Sequence, residues 1–86
     1  MTESKHRAGQ GERDHFVACL REVRAARGHL VDARADGVRS QEKQALRADL
    51  LVALERYALA IVELGVPVPG RLRREIDLYR RLEQPH

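Results

Sequence analysis

Apolar residues recur at three- and four-residue intervals through most of the chain, which is the spacing of one face of an α-helix. The first such segment carries Phe16, Leu20, Val23, Leu30 and Val31. It predicts a first helix over about residues 13–35. This helix should end at the Asp36-Gly37 pair, because glycine readily adopts the left-handed conformation that ends many helices.

Two later segments repeat the helical spacing. Residues 41–64 predict a second helix, with Ser40 as its N-cap because a serine oxygen can accept a hydrogen bond from a free backbone N–H. Pro67 and Pro69 cannot continue that helix, since each lacks an N–H donor and restricts the residue before it. Residues 70–83 predict a short third helix with an apolar stripe. That stripe consists of Leu72, Ile76, Tyr79 and Leu82.

The first twelve residues differ from the rest of the chain. They contain Gly9 and Gly11 and no apolar run. Such a segment buries too little surface to offset the entropy of ordering. We therefore predict a disordered tail over residues 1–12 and a single helical domain over residues 13–84.

The apolar faces of the first two helices are complementary. In heptads, the first helix alternates large and small residues, a pattern typical of close antiparallel packing. The large positions are Phe16, Val23 and Leu30, and the small ones are Cys19, Ala26 and Ala33. The short connection makes the second helix an antiparallel neighbour. Its facing residues are Leu50, Leu54, Tyr57, Ile61 and Leu64.

The second helix is apolar nearly all round, so one neighbour cannot cover it. Val52 and Leu59 lie off its main seam and are candidates for a further contact. An 86-residue chain with 3% aromatic residues has little core of its own, and small domains often depend on oligomerisation. We predict an all-α fold, a long antiparallel helical hairpin plus a short C-terminal helix, that dimerises into a four-helix bundle. A monomeric three-helix bundle is the alternative.

The apolar segments and the single cysteine indicate the cellular compartment of the protein. The longest apolar stretch, residues 50–64, is interrupted by Glu55, Arg56 and Glu63 and is too short to cross a bilayer of about 30 Å. No secretory leader is evident, and the lone Cys19 cannot form an intramolecular disulfide. We expect a cytoplasmic protein without a membrane partner.

Residues that could carry chemistry are few. His15 and Cys19 are four residues apart and share a helix face, but two ligands do not make a zinc site. Ser4 lies in the predicted tail and Ser40 is assigned as a helix cap, and no glycine-rich phosphate loop is present. We expect no catalytic residue, no cofactor and no metal, and hence no enzyme.

The third helix has the strongest cluster of charge. Its cations are Arg71, Arg73, Arg74, Arg80 and Arg81. Four-residue spacing predicts ion pairs with Glu75 and Asp77 inside the helix, which would leave Arg74 and Arg80 free.

These patterns predict a non-catalytic protein–protein interaction module, a small regulator or adaptor acting through helix faces. Val52 and Leu59 would contact a partner with an acidic or apolar groove, while Arg74 and Arg80 would steer its approach. The alternative is a DNA-binding regulator that contacts phosphates through the third helix. Its contacts would come from Arg71, Arg73, Arg74, Arg80 and Arg81.

Overall fold

The computed structural model describes the backbone of residues 2–83 and the side chains of residues 10–83. This part of the chain forms three α-helices and no strands. They are α1 (Thr2–Ala35), α2 (Ser40–Glu63) and α3 (Gly70–Glu83). The prediction of an all-α protein is confirmed.

Glycines with left-handed backbone conformations end the first two helices. Gly37 has φ 66° and Gly65 has φ 77°. The residue after each glycine donates its backbone N–H to a carbonyl in the last turn of the helix. Val38 donates to Ala33 O at 3.0 Å, and Val66 donates to Ile61 O at 3.3 Å. These bonds define Schellman motifs, which satisfy carbonyl groups that a helix end otherwise leaves unpaired. The first motif reverses the chain and sets α2 antiparallel to α1.

Replacing Gly37 by alanine should lower the free energy of unfolding by about 1–2 kcal/mol, because a Cβ disfavours the left-handed conformation. Urea denaturation followed by circular dichroism measures this change. Gly28 is the matched control: it lies within α1, and a Cβ there meets nothing within 4 Å. Gly28→Ala should raise stability by up to about 1 kcal/mol, and an equal loss in both variants would contradict the assignment of Gly37 as the helix end.

Two helix starts differ from those predicted. The helix α1 begins at Thr2 rather than near residue 13, because glycines at 9 and 11 disfavour a helix by about 1 kcal/mol each without preventing one, and no proline interrupts the segment. Ser40 is the first helical residue of α2 rather than its cap. The N-cap position belongs to Arg39, which makes no side-chain capping hydrogen bond.

The core lies between α1 and α2 and follows the predicted seam. Cys19, Val23, Leu30 and Ala33 are buried on α1. The facing buried residues of α2 are Leu50, Leu51, Ala53, Leu54, Ala60 and Ile61. At the end of the hairpin near the α2–α3 connection, the rings of Phe16 and Tyr57 pack with centroids 5.2 Å apart.

The short helix α3 folds back onto α2 of the same chain. Leu72 and Ile76 are each only 7% exposed and join the core of the hairpin. Two ion pairs join α3 to the hairpin. The Glu75 carboxylate accepts a hydrogen bond from Arg27 of α1, and Arg80 donates one to the Glu55 carboxylate of α2. The docked position of α3 thus follows from its packing on α2, and the Arg27–Glu75 pair adds a contact with α1.

Candidate interaction surfaces

Exposed and half-buried apolar residues form a stripe along α2 that is broken once, at Glu55. Val52 is 48% exposed, Leu59 63% and Val62 57%. Together with Ala45 and Ala48 they repeat at alternating three- and four-residue steps, the spacing of a coiled-coil contact. We call these five residues the α2 stripe. The predicted exposure of Val52 and Leu59 is thus observed, and the stripe extends beyond them in both directions.

The only interruption of this heptad spacing is Glu55, whose carboxylate is already occupied. Arg80 donates to Glu55 Oε2 through Nη2 at 2.6 Å and through Nε at 3.2 Å. This bond is the main reason why the pKa of the Arg80 guanidinium lies above its ordinary value. The prediction that Arg80 is free is therefore wrong, because the fold brings it to a carboxylate 25 residues away in the sequence.

A shallow groove of about 360 Å³ runs between α1 and α2 beside Val52. Three alanines, Ala25, Ala26 and Ala53, contribute to its lining. Alanine side chains leave room for a helix to approach closely. Apart from Val52, the other lining residues are polar or charged, and two of them, Glu22 of α1 and Arg56 of α2, form an ion pair.

The remaining arginines of α3 also depart from the predicted local pairing. Within residues 10–83, the ion pairs are Arg27–Glu75, Arg56–Glu22 and Arg80–Glu55. Glu75 therefore pairs with Arg27 of α1 rather than with Arg71 of its own helix. Among the described side chains, four arginines of α3 have no carboxylate within ion-pair distance. They are Arg71, Arg73, Arg74 and Arg81.

A second and larger groove lies where α3 passes α1, with a volume of about 760 Å³. We call it the α3 groove. Three guanidinium-bearing residues line it, namely Arg27, Arg71 and Arg74, with Glu75 as the single carboxylate. Its apolar lining comes from Tyr57, Pro69, Leu72 and Leu78. It thus combines positive charge with apolar walls.

The single cysteine is placed for packing. Cys19 is 2% exposed, and its Sγ lies 3.7 Å from Nε2 of the exposed His15. Burial raises the pKa of the thiol, with a further contribution from the Glu22 carboxylate, so the reactive thiolate is disfavoured. In the described part of the chain, no three His, Cys, Asp or Glu side chains gather as they would around a metal ion.

None of the three described helices combines the length and apolar character needed to cross a membrane. Comparison of the chain with known protein families, curated proteins and solved structures finds no match.

Proposed function

We propose that this chain is a non-catalytic helical interaction module, a small regulator or adaptor, that works as a homodimer in the cytoplasm. The observation that carries the proposal is the α2 stripe, because Val52, Leu59 and Val62 stay 48%, 63% and 57% exposed even though Ile76 and Arg80 of α3 lie beside its C-terminal half. Burying such a face against a second helix is the usual way to remove it from water. The lone cysteine, which can form no intramolecular disulfide, supports the cytoplasmic location.

A second copy suits the stripe because the stripe is complementary to itself. In an antiparallel pair with its two-fold axis near Val52, Leu59 of each copy would face the small Ala45 of the other. Asp49 of one copy would face Arg56 of the other, whose guanidinium also pairs with Glu22 of its own α1, so opposite charges would lie together at the edge. A two-fold contact requires this reciprocity. Pairing two hairpins in this way would form a four-helix bundle, with α3 outside it.

The measured mass of the purified chain tests the dimer. Light scattering at tens of micromolar should give twice the mass of the 9.8 kDa chain, and the unfolding midpoint should rise with protein concentration, because association stabilises the folded state. A monomer mass with a concentration-independent midpoint would instead support a monomeric three-helix bundle.

Nucleic-acid binding through α3 is a second candidate, favoured by the four arginines that have no ion-pair partner among the side chains of residues 10–83. Arg71, Arg73, Arg74 and Arg81 would contact phosphates, and affinity for duplex DNA would fall steeply with added salt. Arg80 would contribute less to phosphate binding than the sequence predicts, because its guanidinium already pairs with Glu55.

A further inference from the structure

We propose that the α3 groove binds a short acidic peptide segment of a partner protein, one in which carboxylate side chains alternate with aliphatic ones. This inference rests on the proposed function, because it assigns a partner to the interaction module. It concerns a different surface from the α2 stripe, so each can fail without the other.

The charge of the groove selects a carboxylate ligand. Arg71 and Arg74 lie one turn apart at the start of α3, both are exposed, and neither is paired with a carboxylate among the described side chains. Arg27 faces them from α1 and is held in place by Glu75. Guanidinium groups bind carboxylates through two parallel hydrogen bonds. Two unpaired guanidiniums at one groove therefore favour a ligand with at least two acidic groups.

The walls of the groove distinguish a peptide from a nucleic acid. Leu78 is 52% exposed, and Tyr57 and Pro69 add further apolar surface. Aliphatic side chains of a peptide would cover this surface, whereas a DNA duplex presents charged phosphates outward and keeps the apolar faces of its bases stacked inside. The volume of about 760 Å³ falls in the range of about 300–1,000 Å³ that is usual for ligand sites.

The position of the groove leaves it open in the proposed dimer. Tyr57 lines the groove and Leu59 belongs to the stripe, and two residues of a helix differ in direction by about 200°. The two surfaces therefore lie on nearly opposite sides of α2. A dimer formed through the stripe would present two α3 grooves, which would strengthen binding to a partner that carries two acidic segments.

Titration of the full chain with defined probes tests the proposal, with backbone amide signals followed by NMR. The main probe is a capped tetrapeptide of alternating leucine and glutamate; the others are its leucine–glutamine counterpart and a short DNA duplex. We expect the glutamate peptide to shift the amide signals of Arg27 and residues 70–78. The glutamine peptide should bind at least about tenfold more weakly, because it offers no charge to the guanidiniums.

Two charge-matched variants locate the binding site. Arg74→Gln should weaken binding of the glutamate peptide about tenfold, while Arg81→Gln removes the same charge from α3 outside the groove and should have little effect. Both arginines are exposed, so circular dichroism should show that both variants keep their helices.

Several results would overturn the peptide assignment. These are no amide shift at millimolar peptide, equal binding of the glutamine peptide, or equal losses in the two variants. Duplex binding that is tighter than peptide binding would instead favour the nucleic-acid candidate. The mass of the same samples separates the two proposals. A dimer that does not bind the glutamate peptide would contradict only the peptide site in the α3 groove. A monomer that binds the peptide would contradict only the proposed dimer.

Discussion

Replacing Leu54 by alanine is expected to lower the free energy of unfolding by about 2–5 kcal/mol, as large-to-small core substitutions do. Leu54 is 0% exposed, at the centre of the core that α1, α2 and α3 share. The substitution removes apolar contacts and leaves a cavity that rigid neighbouring helices fill only in part. Domains are commonly stable by only about 5–15 kcal/mol, so this single change should move the urea midpoint substantially.

Leu82 provides the matched control, because it is also a helical leucine but is 50% exposed. Leu82→Ala should cost less than about 1 kcal/mol, since much of its surface already faces water. Both variants are compared with the parent at one protein concentration, so that any association contributes equally. Similar losses at the two positions would mean that Leu54 is not part of a shared core.

The apolar spacing of the sequence was sufficient to identify the main packing face. Helical periodicity decides which side chains share a face, so the seam through Val23 and Leu30 could be predicted without knowledge of the neighbouring helix. Helix ends near residues 35 and 64 could be predicted for a similar reason, because the left-handed glycines and the prolines act on their own segments of backbone. The exposure of Val52 and Leu59 followed from their angular distance from the seam.

Ion pairs could not be predicted in this way. Four-residue spacing shows which pairs a helix allows, but the fold can offer the same side chain a better-placed partner. Glu75 binds Arg27, which is 48 residues away in the sequence, and Arg80 binds Glu55. Both choices depend on where α3 docks. That position comes from the fit of Leu72 and Ile76 against α2, which spacing alone does not reveal.

The α3 groove was missed for the same reason. Arg27 belongs to a charged face of α1 that looks like ordinary solvated surface in the sequence, and Tyr57 was assigned only to the seam. Their contribution to a common groove with Arg71 and Arg74 requires three helices to be placed relative to one another. Clustered arginines in the sequence indicated a binding function, but only the docked helices show which of them share a groove.

Leu59→Glu is expected to dissociate the proposed dimer, raising its dissociation constant about 100-fold or more. The two-fold symmetry would place two new carboxylates in one apolar contact, each facing the apolar Ala45 of the other copy rather than a basic residue. Burial of an unpaired charge costs several kcal/mol, and each 1.4 kcal/mol corresponds to about tenfold in affinity. Light scattering and sedimentation over a range of concentrations measure this change.

The fold of the variant should survive, because Leu59 is 63% exposed within a single chain. Val31→Glu is the control: Val31 is 60% exposed on α1, lies outside the α2 stripe and receives the same charge. It should leave the dimer intact. If Leu59→Glu keeps the dimer mass, the two copies must associate through another surface, because a contact that buries the stripe could not accept both carboxylates.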